Sequence, residues 1–229
     1  ALPSASLPGA KPGRFVVDRM NPPPSRLLLL KPGSMGDVIH TLPVAAAIKS
    51  AWPNCHLTWL VDPRWKPLLL GNPNVDATFV FPRETFRGLG FFRALPWMGS
   101  LSKLKPDVCL DLQGLLRSGI MARASGAAQT IGLADAREGA RFFYSTKVRV
   151  LPREHSVRRY LRVLTALGIP VPDEPSFSLP MGDFPEGTPE DPFVLVHPFA
   201  RGAKKSLDAR TLQALCMAMA PLPVVLVGG

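Results

Sequence analysis

The residue of this chain best suited to acid–base chemistry is Asp37, which follows a Gly-Ser-Met-Gly turn at residues 33–36. The apolar pattern after Asp37 predicts a helix, so its carboxylate would lie at or near a helix N-terminus, where the dipole favours the ionised form. An ionised carboxylate in such a loop can accept a proton from a ligand hydroxyl. Asp is also a common helix N-cap, and this segment alone leaves both interpretations open. His40 lies one turn further along on the same face, as either a ligand-binding or a packing residue.

The elements on either side of this turn would place Asp37 at the edge of a sheet. Residues 27–30 are all Leu, a run typical of a strand buried on both faces and too short for an amphipathic helix. Gly33 and Gly36 allow the chain to turn and to approach a ligand closely. Their G-x-x-G spacing does not match the G-x-G-x-x-G fingerprint of a dinucleotide site. A strand, a tight loop and a helix in this order bring backbone N–H groups to the mouth of an α/β sheet.

Further apolar runs alternate with helix-like segments along the chain. This alternation predicts an α/β fold with a mostly parallel sheet and helices on both of its faces. The predicted strands are residues 56–61, 77–81, 107–112, 130–133 and 146–150, and the predicted helices are residues 115–124 and 157–167.

Changes in composition predict the domain boundaries. Residues 1–25 are rich in Pro, Ser and Ala, and we expect them to be a flexible leader. Residues 26–170 would form the first domain. Residues 171–192 are rich in Pro, Gly, Asp and Glu and are typical of an interdomain linker. Residues 193–229 are too few to bury an independent core, so we expect the chain to end early in a second α/β domain.

The start of this second domain shows the same alternation as the first. Strands are predicted at residues 193–196 and 224–227, with a loop at residues 197–205 after the first strand. The helix between them is predicted at residues 206–220, opened by Ser206 or Asp208.

Composition limits the partners of this chain. The net charge is +10, which favours anionic partners such as phosphorylated substrates or an anionic membrane surface. We do not expect nucleic acid as a partner, because the sequence has no zinc-finger spacing, no ribonucleoprotein aromatic motif and no Lys-rich tail. No apolar run approaches the length of a transmembrane helix. The three cysteines are far apart in apolar surroundings, which predicts reduced, buried thiols and no metal site.

The segment at residues 26–43, RLLLLKPGSMGDVIHTLP, closely resembles the opening of the lipopolysaccharide heptosyltransferases, the ADP-heptose-dependent family 9 glycosyltransferases. Those proteins begin with a strand, a Ser-Met-Gly-Asp turn and a helix that carries His-Thr-Leu-Pro. Further segments resemble the family in the same order, up to the last residue. They are Asp111-Leu112-Gln113-Gly114-Leu115, Ala136-Arg137-Glu138, His155-Ser156-Val157-Arg158-Arg159 and the loop from His197 to Ser206.

The resemblance implies a GT-B fold, in which two Rossmann-like domains face a cleft, the second being incomplete in this chain. It also implies transfer of heptose from ADP-heptose to the inner core of lipopolysaccharide with inversion. Asp37 would be the general base on the acceptor hydroxyl, and Lys204 would stabilise the leaving diphosphate. The resemblance implies neither a metal nor a cofactor. It places the protein in the cytoplasm, in peripheral contact with the inner face of the cytoplasmic membrane.

The same resemblance assigns binding roles to loop and helix residues. Each has a simpler alternative: a surface turn for the Gln-Gly pair, a surface ion pair for Arg137, the solvated side of a helix for Arg158, and solvated loop lysines for the pair at 204 and 205. The region at residues 83–97 could equally be a helix with an apolar face or a membrane-touching edge. The acceptor-binding residues would be Ser34, Met35, Gly36, His40, Arg83, Arg87, Gln113, Gly114, Arg137 and Arg158, and the donor-binding residues Arg201, Lys204 and Lys205.

The chain departs from the family pattern at two points. Ser206 stands where the family usually has Trp, and the later Asp-Ser/Thr-Gly-x-x-His segment that holds the donor nucleotide does not occur in these 229 residues. We therefore expect this chain by itself to be inactive. Two alternative functions stay open: a non-catalytic, degenerate transferase that binds anionic glycolipid, and a transferase of the same family with another acceptor.

Overall fold

A central sheet of six parallel strands dominates the first of two units into which the chain divides, residues 1–180 and 181–229. The computed structural model describes residues 20–82, 91–199 and 206–228. The six strands are β1 Arg26–Leu30, β2 His56–Val61, β3 Ala77–Val80, β4 Val108–Asp111, β5 Gln129–Leu133 and β6 Thr146–Val148. Their order in the sheet is β3-β2-β1-β4-β5-β6, which is the order of a doubly wound α/β fold. The predicted parallel sheet is confirmed.

Strand β1 lies in the middle of the sheet, between β2 and β4. Successive side chains of a strand point to opposite faces. Leu27 and Leu29 accordingly join one apolar cluster, while Leu28 and Leu30 join another. The uniform Leu run is therefore buried on both faces, as the sequence predicts.

Helices cover both faces of the sheet. The cluster that contains Leu27 is completed by α1 Met35–Ala51, α4 Ser156–Leu161 and α5 Val163–Ala166. The cluster that contains Leu28 is completed by α2 Phe91–Ser102 and α3 Leu116–Ala124. Two short 3-10 helices, Lys66–Leu69 and Ala140–Phe143, lie in the connections. None of the helices in the described ranges is long and apolar enough to span a membrane.

The helix predicted at residues 157–167 is the main local error, because the chain forms two short helices there. The backbone N–H of Thr165 donates to the Arg162 carbonyl at 3.1 Å, and the Thr165 hydroxyl donates to the same oxygen at 2.7 Å. The backbone bond joins residues three positions apart, as in a 3-10 turn, and the helix is interrupted at Arg162.

The first part of the predicted linker is held by side chains of the first unit. The Asn72 amide donates to the Ser178 carbonyl at 2.7 Å. The Arg158 guanidinium donates to the carbonyls of Pro172 and Asp173 at 2.8 and 2.5 Å. Residues up to Pro180 accordingly belong to the first unit.

The second unit contains a parallel pair of strands, β7 Val194–Val196 and β8 Val224–Leu226, and the helix α6 Ala209–Ala218. Asp208 is the N-cap of α6, and its side chain accepts the Thr211 N–H at 2.8 Å. Of the two predicted openings, Asp208 is therefore the one observed. No residue of α6 is buried.

Candidate functional site

A cavity of about 270 Å³ lies where the connections after β1 and β4 diverge. These neighbouring strands are in register, with Leu30 opposite Asp111. The strand order reverses at this point, and open α/β sheets bind ligands at the carboxyl ends of strands beside such a reversal. The lining residues are Lys31, Asp37, Asp111, Leu112, Gln113, Gly114, Leu133, Asp135, Ala136, Arg137, Arg159 and Tyr160.

Lys31 directly follows β1, and its ammonium group lies at the base of this cavity. The residue is only 2% exposed. Its Nζ donates to the Leu112 carbonyl at 2.8 Å and to the Tyr160 hydroxyl at 2.9 Å. Burial lowers the pKa of Lys31 to about 8, although the nearby carboxylates of Asp37 and Asp111 oppose this shift. Lys31 is not among the site residues predicted from the sequence; a charged residue immediately after a fully apolar strand is the signal that could have identified it.

Asp37 lies on the first turn of α1, whose N-cap is Ser34. Its Oδ2 accepts the Ser34 backbone N–H at 3.1 Å and the Ser34 hydroxyl at 3.0 Å. Its Oδ1 accepts the Tyr160 hydroxyl at 2.8 Å and lies 3.7 Å from the Lys31 Nζ. Asp37 therefore supports the cap from the third helical position, as the acidic partner of a capping box, and its interpretation as the N-cap itself is wrong.

These contacts determine the charge of the Asp37 carboxylate. Burial acts to raise its pKa, but the Lys31 charge and the hydrogen bonds from Tyr160 and Ser34 outweigh burial and bring the pKa below its ordinary value. The side chain remains 35% exposed. Asp37 is therefore an ionised carboxylate that a ligand in the cavity can reach.

Tyr160 joins α4 to this site and is also not among the site residues predicted from the sequence. It is 4% exposed, and its ring lies under the Lys31 ammonium at 4.5 Å from the ring centroid. Burial, followed by the hydrogen bond to Asp37, raises the pKa of its hydroxyl, which therefore stays protonated as a donor. In the sequence Tyr160 falls on the apolar side of the predicted helix, so its pattern resembles that of a core residue.

Asp111 and Tyr144 form a buried brace beneath the other wall of the cavity. The Tyr144 hydroxyl donates to Asp111 Oδ2 at 2.7 Å, and Asp111 Oδ1 accepts the backbone N–H groups of Gln113 and Gly114 at 2.9 and 3.1 Å. Burial raises the pKa of Asp111. This carboxyl is fully buried and occupied by internal donors, so it shapes the turn after β4.

Gln113 and Gly114 form that turn and lie at the cavity, as expected from their position after a strand. Gly114 has φ +67°, and a Cβ there would lie 3.4 Å from the Ala136 Cβ. Its carbonyl accepts the Arg137 N–H at 2.9 Å, which joins the turn after β4 to the loop after β5. Within the described residues, Gln113 Oε1 is the one buried side-chain polar atom that has no hydrogen-bond partner. A buried unpartnered carbonyl oxygen at a cavity can accept a hydrogen bond from a ligand.

The three arginines on or beside the cavity differ in their ion-pair and hydrogen-bond partners. Arg159 pairs with Asp135 at 2.7 Å. Arg137 is exposed, and no acidic residue of the described ranges forms an ion pair with it. Arg158 is absent from the cavity lining and binds the carbonyls of residues 172 and 173 instead. The structure thus brings Arg137, and not Arg158, to the cavity.

The other predicted residues lie around the cavity or outside the described chain. Ser34, Met35 and Gly36 are exposed at the start of α1. The His40 ring contacts the His155 ring, with centroids 5.5 Å apart, and is not part of the lining. No group of His, Cys, Asp and Glu side chains in the described ranges is arranged to hold a metal ion. The predicted residues outside these ranges are Arg83, Arg87, Arg201, Lys204 and Lys205.

Comparison with known proteins shows similarity to heptosyltransferases. A family model described as glycosyltransferase family 9 (heptosyltransferase) matches residues 98–229. Lipopolysaccharide heptosyltransferase 1 of Pseudomonas aeruginosa is 31% identical over 158 residues, which are 65% of this chain and 44% of that protein. Lipopolysaccharide core heptosyltransferase OpsX of Haemophilus influenzae is 26% identical over 155 residues, 64% of this chain and 42% of that protein. The chain spans less than half the length of these curated relatives.

A solved structure has the same fold. The Escherichia coli heptosyltransferase WaaC with ADP-2-deoxy-2-fluoro heptose superimposes with a TM-score of 0.72 at 22% identity, covering 89% of this chain and 69% of that chain. At this identity the likeness shows the fold alone, and it confirms the predicted α/β fold class of GT-B type.

Proposed function

The chain belongs to glycosyltransferase family 9, and on this basis we propose that the whole protein transfers heptose from ADP-heptose to the inner core of lipopolysaccharide, with inversion at the anomeric carbon. Two relatives are named as lipopolysaccharide heptosyltransferases. The structurally similar Escherichia coli protein is described with a fluorinated ADP-heptose. These names support the donor and the acceptor class.

Asp37 is the proposed general base of this reaction. The acceptor hydroxyl oxygen attacks the anomeric carbon of the heptose while its proton passes to the Asp37 carboxylate. The bond from the anomeric carbon to the diphosphate oxygen breaks, and its electron pair leaves with ADP. The protonated Asp37 then releases its proton to water. The observation that carries this proposal is the reachable, ionised Asp37 carboxylate at the lining of the cavity.

The first domain, residues 26–170, is the proposed acceptor-binding domain. Arg137 is free of ion pairs within the described ranges and lines the cavity, so its guanidinium can bind a carboxylate or phosphate of the acceptor. The unpartnered Gln113 Oε1 can accept a hydrogen bond from a hydroxyl group of the sugar acceptor. Other proposed acceptor contacts are Ser34, Met35, Gly36, His40, Arg83, Arg87, Gly114 and Arg158.

Residues 193–229 are proposed to belong to the donor-binding domain. Lys204 would stabilise the negative charge that develops on the leaving diphosphate, with Arg201 and Lys205 beside it in the sequence. The net charge of +10 supports binding of an anionic glycolipid and peripheral contact with the cytoplasmic face of the membrane.

A transfer assay tests this function. The whole protein is incubated with ADP-heptose and a lipopolysaccharide core that lacks heptose, and the product is identified by mass spectrometry and NMR. We expect one heptose per acceptor, stoichiometric ADP release and an anomeric configuration opposite to that of the donor. Retained configuration, or release of ADP without acceptor-dependent product, would contradict the proposal. A panel of other glycan acceptors separates it from transfer within the family to another acceptor.

Non-catalytic binding of anionic glycolipid is a second candidate that one observation favours. Asp37 supports the cap of α1 and pairs with the buried Lys31, so its carboxylate has a structural use in a protein that only binds. Equilibrium binding of the core acceptor without any turnover of ADP-heptose would select this second function.

A further inference from the structure

Lys31, Tyr160 and Asp37 form a directed chain of hydrogen bonds at the base of the cavity. The Lys31 ammonium donates to the Tyr160 hydroxyl at 2.9 Å, and that hydroxyl donates to Asp37 Oδ1 at 2.8 Å. An ammonium group can only donate, so the Tyr160 oxygen must accept from Lys31 and direct its own proton towards Asp37. The chain therefore has one direction, from the ammonium to the carboxylate.

Each member of this chain is fixed by a different element of the fold. Lys31 follows β1 and donates to the carbonyl of Leu112, the residue directly after β4, at 2.8 Å. Tyr160 belongs to the buried side of α4. Asp37 is on α1, and its backbone carbonyl accepts the Thr41 hydroxyl at 2.8 Å. The carboxylate is thus held from three sides by parts of the chain that have little freedom to move.

The remaining capacity of the carboxylate is small and lies on one oxygen. A carboxylate offers about four acceptor positions, roughly two on each oxygen. Ser34 supplies two donors to Oδ2, and Tyr160 supplies one to Oδ1, while the Lys31 ammonium lies 3.7 Å from Oδ1, beyond hydrogen-bond distance. One position on Oδ1 is therefore left, and the side chain is accessible because it lines the cavity and is 35% exposed.

We propose that Lys31 and Tyr160 are positioning residues that orient Oδ1 of Asp37 towards the acceptor hydroxyl and keep the carboxylate ionised. This inference rests on the proposed role of Asp37 as the base. Tyr160 fixes the rotation of the carboxylate by occupying one position of Oδ1. Lys31 holds the Tyr160 hydroxyl in the donating orientation and supplies a positive charge that opposes the effect of burial.

Other charged groups near the Lys31–Tyr160–Asp37 hydrogen bonds have their own partners. Asp111 faces Lys31 from β4 but is occupied by Tyr144 and two backbone N–H groups. Arg159 lies on α4 beside Tyr160 and pairs with Asp135. Asp37 is therefore the carboxylate in direct contact with both Lys31 and Tyr160 among the described residues.

The test compares Lys31→Met and Tyr160→Phe with Lys49→Met as the matched control. Lys49, which lies on α1, is a poorly exposed lysine like Lys31. It pairs with Asp76 at 3.0 Å and does not line the cavity.

The Asp37 carboxyl is titrated by carbon-13 NMR in the 229-residue chain, and the acid limb of kcat/KM is measured in the whole protein. We expect Lys31→Met to raise both midpoints by about one pH unit or more, because the positive charge that opposes burial most strongly is then absent. Tyr160→Phe should raise both by a smaller amount and lower kcat about tenfold, a part of the roughly 10²–10⁴-fold that general base catalysis contributes. Lys49→Met should move neither midpoint.

The outcomes separate this inference from the proposed function. If Asp37→Asn is inactive but both positioning variants titrate as the wild type does, the positioning role is wrong and the base assignment stands. If Asp37→Asn turns over normally, the base assignment is wrong and the positioning role falls with it. If Lys31→Met does not fold, the Tyr160→Phe titration decides alone: an unmoved Asp37 midpoint overturns the inference, and a raised midpoint supports it.

Discussion

Lys31 is a charged residue in a place that normally excludes charge. Burial of an ammonium is costly unless oxygen atoms replace its water, and here the Leu112 carbonyl, the Tyr160 hydroxyl and the Asp37 carboxylate do so. The replacement is incomplete, because burial still lowers the pKa of Lys31 to about 8. The cavity thus retains a positive charge near neutral pH but loses it in mildly alkaline solution.

The lowered pKa of Lys31 predicts a specific dependence of stability on pH. Between about pH 8 and pH 10.5 the unfolded chain keeps a proton that the folded chain releases. The contribution of Lys31 to the free energy of unfolding therefore rises with pH in this window. We expect the stability of the wild type relative to Lys31→Met to increase between pH 7 and pH 10 by about 2 kcal/mol, an order-of-magnitude value. Urea unfolding followed by tryptophan fluorescence measures it, since all four Trp residues belong to the first unit. Parallel stability curves for the two proteins would contradict the assignment.

Whether a site residue could be predicted from the sequence depends on how far along the chain its hydrogen-bond partner lies. Asp37 is predicted from its place in the turn after a strand, and Gln113 and Gly114 from the resemblance of residues 111–115 to the heptosyltransferases. Lys31 and Tyr160 are not predicted, because their bond joins residues 129 positions apart and the bond from Tyr160 to Asp37 joins residues 123 positions apart. Local spacing carries no information on such contacts. Arg158 is a related case: its exposed guanidinium holds the segment that follows, through the carbonyls of Pro172 and Asp173, a contact that a basic helix face does not predict.

At the scale of elements, strand β5 determines the position of the Asp111–Tyr144 brace. Gly132 lies in β5 opposite Asp111 in β4, and the Tyr144 ring covers it so closely that a Cβ would lie 2.2 Å from a ring carbon. An aromatic ring cannot yield as a flexible chain end would. The absence of a side chain at Gly132 is therefore what allows the Tyr144 hydroxyl to reach Asp111.

Gly132→Ala should accordingly displace Tyr144 and destabilise the first unit. We expect a loss of about 2–3 kcal/mol, in the upper range for overpacking of a close-packed interior. The control is Gly99→Ala, in α2, where a Cβ meets nothing within 4 Å and helix propensity favours Ala. Denaturant unfolding of both variants measures the difference. A Gly132→Ala protein as stable as the control would show that the ring can move aside at no cost.

The elements themselves were largely predictable from local pattern. The Leu run of β1 required burial on both faces, and the alternation of strands and helices indicated a parallel sheet. The position of β1 between β2 and β4 was not predictable from any one segment, because strand order depends on which helices cover which face. The division of the predicted helix at residue 162 was also missed, since the apolar pattern is the same for one helix and for two short ones.

At the scale of the molecule, the two units differ in how much apolar surface they bury. Strands β1, β2 and β4 are almost entirely buried. In the second unit no residue of α6 is buried, and Leu195 and Met217 are 61% and 72% exposed. Few buried apolar contacts mean a low free energy of local opening.

Amide hydrogen exchange of the 229-residue chain should therefore follow this division. We expect slow exchange in β1, β2 and β4, and exchange faster by at least two orders of magnitude in β7, α6 and β8. Mass spectrometry of peptides from each element measures both rates in one experiment, so the first unit serves as the internal control. Equal protection in the two units would contradict the difference inferred from burial.

The central claim is that the Asp37 carboxylate takes the proton of the acceptor, and Asp37→Asn tests it most directly. Asn keeps an oxygen that can accept from Ser34, so the helix cap and the fold should survive, but an amide cannot take the proton. The control is Asp76→Asn, which alters the carboxylate paired with Lys49 outside the cavity. In the whole protein we predict that heptosyl transfer by Asp37→Asn falls on the order of a hundredfold or more, with acceptor binding retained and with Asp76→Asn close to the wild type. Transfer by Asp37→Asn at the wild-type rate would contradict the account.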